Sequence, residues 1–68
     1  MGSVATILDR RDYYRAKAAE VREVAQSLPN PVAREALLSV ADDYLRLAEE
    51  HDLLVLEVAR VAPQKRQT

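Results

Sequence analysis

The sequence predicts an all-α fold, an antiparallel hairpin of two helices. Apolar residues recur at spacings of three and four through two long segments, the signature of amphipathic helices. The cluster Leu28-Pro29-Asn30-Pro31 separates those segments, and no Gly or Pro interrupts the stretch between Pro31 and Pro63.

The first helix is expected over about residues 10–27. Ile7, Tyr14, Val21 and Leu28 recur every seven residues, with Val4, Arg11, Ala18 and Ala25 set between them. Those are the two seam positions of a heptad, so the segment reads as one strand of a coiled coil. Its start is ambiguous. Ser3, Thr6 and Asp9 each suit an N-cap, and Thr6-x-x-Asp9 and Asp9-x-x-Asp12 each place an acid in a first turn. Residues 1–8 are therefore read as an N-terminal segment of open structure.

Proline cannot sit inside a helix without losing an amide bond, and it pushes the preceding residue out of the α region, so Leu28 to Pro31 breaks the chain. A connection this short makes the two helices antiparallel neighbours. Asn30 is a favoured N-cap and Pro31 suits the first helical position, where no amide bond is lost. The second helix is expected over about residues 31–62, ending before Pro63, with residues 63–68 a polar, frayed tail. Its seam is Leu37, Ala41, Tyr44, Ala48, His51, Val55, Val58 and Ala62. Leu38 and Leu45 flank it on one side, and Val40, Leu47 and Leu54 on the other. That apolar face is broader than a two-stranded seam needs.

Folding about the turn sets Val21 against Leu37 and Leu38, Ala18 against Ala41, Tyr14 against Tyr44 and Leu45, and Arg11 near Ala48. The alanines allow close approach of the backbones. The same pairing leaves helix 2 beyond about Leu56 without an intrachain partner. That end is nonetheless apolar nearly all round, and such a surface is rarely left wet on a stable monomer. The expectation is a homodimer of hairpins forming a four-helix bundle, with Leu53, Leu54, Leu56, Val58 and Val61 as its intermolecular core.

Length and composition point the same way. The chain has 68 residues, one domain at most, and so short a chain buries little surface unless disulfides, metals or self-association support it. Cysteine is absent, which removes disulfides and thiolate sites. Apolar residues make up 49% of the chain with no Trp or Phe, and its abundant charges nearly cancel to a net −1. Small apolar side chains with balanced charge suit helices packed closely together. The N-terminus has no basic region followed by a long apolar stretch, so no secretory leader is expected. Leu53 to Ala62 is too short for a membrane span and contains Glu57 and Arg60. A cytoplasmic protein without a membrane segment is expected.

Candidate chemistry is sparse. His51 is the only histidine, and its helical neighbours three and four residues away are Leu47, Ala48, Leu54 and Val55, none a ligand. It reads as a polar layer of the seam with Arg11, or with Asp52, rather than as a metal ligand or a pH switch. The acids of helix 2 read as a solvated face, since Arg46 lies three or four residues from Asp42, Asp43, Glu49 and Glu50. Tyr13 beside Arg10, Arg11, Arg15 and Lys17 resembles a nucleic-acid patch. Asp9 and Asp12 interrupt it, and the net charge is against it. No hydroxyl has a base nearby, so no catalytic, cofactor-binding or metal residue is assigned and no enzyme activity is expected.

Tyr14 to Arg22, then Pro29-Asn30-Pro31 with Arg34, Leu37 and Leu38, then Ala41 to Glu49 resembles a group of short helical-hairpin proteins common in bacteria, especially alphaproteobacteria. The shared features are a tyrosine-alanine first helix, a proline-containing turn and a Tyr-Leu-x-Leu-Ala-Glu stretch in the second. The resemblance covers about Tyr13 to Glu50 and implies the hairpin fold and a bacterial origin. It brings no activity, and Leu53 to Ala62 lies outside it. The expected function is a small homo-oligomeric interaction or scaffold module. The alternative is a regulator that binds a helix of another protein through the apolar C-terminal end. A nucleic-acid-binding accessory role through helix 1 is the weaker alternative.

Overall fold

A computed structural model of the chain describes the backbone of residues 3–67 and the side chains of residues 3–61. All regular structure among the described residues is helical. Helix α1 spans Val4–Ser27 and helix α2 spans Pro31–Gln67. Contacts between the two helices run in opposite numerical directions, with Arg22 near Asp42, Tyr14 on Tyr44 and Arg11 on Asp52. The two helices therefore form an antiparallel hairpin.

Helix α1 starts earlier than the sequence suggests, because Ser3 is its cap. The Ser3 hydroxyl accepts the Thr6 amide at 3.2 Å, and the Ser3 carbonyl accepts the Ile7 amide at 3.1 Å. Of the three competing caps, Ser3 is the one that carries Val4, Ile7 and Leu8 into the helix, where the last two are half-buried. At the other end Leu28 turns extended, and its amide still bonds the Ala25 carbonyl. Proline at position 29 enforces that change of backbone.

The cap of α2 is the expected one. The Asn30 side-chain oxygen accepts from the amides of Val32 at 2.8 Å and Ala33 at 3.1 Å. Arg34 adds a contact not visible in the sequence pattern: its Nε and Nη2 both donate to the Leu28 carbonyl, at 3.3 and 3.0 Å. The turn is thus tied to the first turn of α2. At its far end α2 does not stop at Pro63 but runs to Gln67. Proline's φ is already helical, so the backbone continues at the loss of one amide donor toward the carbonyl four residues back. Met1, Gly2 and Thr68 lie outside the described residues, as do the side chains of the expected tail.

Among the described residues four alanines make the core. Ala18, Ala25, Ala41 and Ala48 are buried, and no large side chain is completely so. Each helix contributes two alanines seven residues apart, so small residues line one strip of the contact and the backbones close on each other. Larger seam residues, Tyr14, Val21, Leu37, Tyr44 and Val55 among them, are half-buried along the margins. No helix among the described residues is long and apolar enough to cross a membrane.

The helices differ greatly in length. With 24 residues α1 is about 36 Å long, and with 37 residues α2 is about 55 Å. Both start from the same short turn, so roughly the last third of α2 projects beyond α1. The described residues form a rod of 59 × 15 × 14 Å.

Candidate interaction surface

The seam between the helices has two edges, and they are built differently. On one edge, charged side chains bridge the helices. Arg11 Nη1 donates to one Asp52 oxygen at 3.1 Å and Arg15 Nη2 to the other at 3.2 Å. Arg22 stands 4.0 Å from Asp42 further toward the turn. Leu38 and Leu45 are half-buried on this side. The Asp52 hydrogen bond, followed by that of Asp12, holds the Arg11 guanidinium above its ordinary range.

The other edge is apolar on α2. Val40, Leu47, Leu54 and Val61 recur every seven residues beside the seam, and three of them are open: Val40 at 41%, Leu54 at 47% and Val61 at 47% exposure. Opposite them α1 presents Arg10, Lys17 and Val24, also every seven residues, with Tyr13 next to them. Near the turn Glu20, Val21, Val24 and Leu37 line a shallow concavity of about 300 Å³, which places Val24 and the α2 seam on a common face. Lys17 lies over the Tyr13 ring at 5.9 Å and bonds Glu20 at 3.1 Å. That carboxylate raises the Lys17 pKa, so the ammonium stays charged at neutral pH.

The residues expected at an intermolecular core divide by position. Leu53 and Leu56 are both 61% exposed and point away from α1. Leu54 and Val61 belong to the heptad stripe. Val58 is half-buried at a seam position, the next after Tyr44 and His51, so it is the most covered of the five.

Arg11 and His51 both occupy the seam, where each is half-buried. Arg11 pairs with Asp52, a full turn beyond its expected neighbour Ala48, because side chains lean toward the N-terminus of their own helix. His51 is half-buried, and its Nδ1 lies 2.8 Å from the Leu47 carbonyl. A carbonyl only accepts, so Nδ1 carries the hydrogen. The ring packs against Tyr14 at 5.3 Å, and Tyr14 stacks on Tyr44 at 6.2 Å, the contact expected from the turn. His51 thus joins a polar hydrogen bond to an aromatic contact within the seam. Among the described residues no three His, Asp or Glu side chains group as a metal ion requires.

Most of the basic residues around Tyr13 are already engaged by carboxylates. Arg11, Arg15 and Lys17 are paired as above, while Arg10 makes no salt bridge among the described residues. The shared use of Asp52 was hidden in the sequence because its partners lie 41 and 37 residues away. The signal that could have found it is the spacing of Arg11 and Arg15, one helical turn apart and therefore able to converge on one carboxylate.

No family model, curated protein or solved structure matches this chain.

Proposed function

We propose that the protein is a non-catalytic interaction or scaffold module that works as a homodimer of hairpins. The observation that carries this reading is the uncovered apolar surface of α2. Val40, Leu54 and Val61 are exposed, with Val58 half-covered near the last two, on a chain whose buried core among the described residues is four alanines.

Light scattering at tens of micromolar tests this directly, with twice the chain mass expected. A folded monomer across that range would overturn the homodimer. A monomer that gains helix only when a foreign amphipathic helix is added would instead identify a regulator of another protein.

A further inference from the structure

We propose that the second copy docks on the open edge of the seam, with the two-fold axis parallel to the helices and both turns at the same end of a four-helix bundle. This rests on the homodimer reading and adds which face is used and which way the copies point. The face comprises Val40, Leu47, Leu54 and Val61 of α2 with Tyr13 and Val24 of α1.

The stripe continues at a strict seven-residue period for three intervals, from well inside the paired region to the projecting end of α2. A heptad stripe is what one helix presents to a second helix. α1 does not take it, because α1 fills the neighbouring seam positions and the charged edge. The contact surface is thus the length of the rod, and the apolar tip is only its last part. Leu53 and Leu56 lie off the stripe and stay at the surface of the dimer.

Charge fixes the partner and its direction. Beside the stripe, α2 carries Asp43, Glu50 and Glu57, whereas the α1 side carries Arg10, Lys17 and Glu20, the last two paired with each other, so that side is net basic through Arg10. A face acidic along one side and basic along the other complements itself when turned about an axis parallel to the helices. An axis across the helices in the contact plane lays acids on acids instead, which is unfavourable. Arg10 and Glu50 make no salt bridge among the described residues, whereas Asp43, Glu57 and Lys17 have Arg46, Arg60 and Glu20. Arg10 lies 17 residues before Ser27 and Glu50 lies 19 after Pro31, so both stand at nearly the same height above the turn. With the turns together, Arg10 of one copy therefore meets Glu50 of the other, twice per dimer.

The projecting ends agree with that direction. When the turns share an end, the two unaccompanied ends of α2 share the opposite one and cover each other's Leu54 and Val61.

The test combines charge reversal with a distance. In sedimentation equilibrium on the full chain, Val40→Glu and Leu54→Glu are expected to weaken the dimer by at least about a hundredfold, and Leu53→Ser and Leu56→Ser by less than about threefold. Arg10→Glu or Glu50→Arg alone is expected to weaken it about tenfold, and the double variant to restore it. Helical circular dichroism is read for every variant, and these positions are exposed enough that the hairpin stays folded. Because cysteine is absent from the chain, a spin label at Arg60→Cys is unique, and the two labels of a dimer are expected within about 30 Å of each other. Labels more than about 30 Å apart, or a dimer that tolerates Val40→Glu and shows no rescue by the double charge reversal, would overturn this face and direction while leaving the homodimer standing. A monomeric unmodified chain would overturn both.

Discussion

The two edges of the α1–α2 seam separate what holds the hairpin from what remains free to act. One edge is closed by arginines of α1 reaching carboxylates of α2, with Asp52 shared by Arg11 and Arg15. The other sets Val40, Leu54 and Val61 in water, beside half-covered Leu47. Ion pairs at a partly exposed margin contribute little stability but set register, since like charges there would be repelled. An apolar stripe has no such register inside the chain, and in the proposed homodimer a second copy buries it. The difference teaches that, in a rod with an alanine core, polar contacts mark the finished side and apolar ones the unfinished side.

The strongest way to break the comparison is to remove the seam both edges share. Ala41 is fully buried, so Ala41→Leu is expected to push the helices apart at a cost of roughly 1–3 kcal/mol. For so small a core that is a large share of the total, and urea unfolding followed by circular dichroism should show it. Next comes the turn. Asn30→Ala removes the cap of α2 and should cost about 1 kcal/mol, read as a lower urea midpoint with an unchanged slope.

On the closed edge, Asp52→Ala removes two inter-helix ion pairs together. The expected loss is smaller than that from Asn30→Ala, and it should shrink further as salt is raised and the exposed partners are screened. A loss that did not respond to salt would show that Asp52 acts through packing. The smallest effect belongs to the outer surface: Leu53→Ser should change stability by no more than about 0.5 kcal/mol, by the same urea titration. If Leu53→Ser instead destabilised the protein as strongly as Asn30→Ala, the outer leucines would be part of a buried contact and the contrast between edges would need redrawing.

Much of the fold was legible in local patterns. The Asn30 cap, the Pro29 break and the heptad alanines Ala18, Ala25, Ala41 and Ala48 each act within a turn or two of helix, so spacing alone reveals them. The stack of Tyr14 on Tyr44 follows from counting away from the turn. The start of α1 was less legible, because Ser3, Thr6 and Asp9 are all competent caps and the choice depends on whether Val4, Ile7 and Leu8 have somewhere to pack. Pro63 misleads in the other direction, since the preference against proline is a cost and the helix continues past it to Gln67.

By itself the sequence determined two helices, their turn, their close alanine contact and the excess of apolar surface on the second. These depend on periodicity and capping, which are local properties of the chain. Only the tertiary structure decided that Arg11 and Arg15 meet on Asp52, that His51 joins Tyr14 and hydrogen-bonds Leu47, and that Val58 is half-covered while Leu53 and Leu56 are not. For the arginines the reason is geometric: helical side chains lean toward their own N-terminus, so long side chains of α1 reach a turn further than backbone counting places them. That lean completes one edge of the seam and leaves the heptad stripe of the other uncovered.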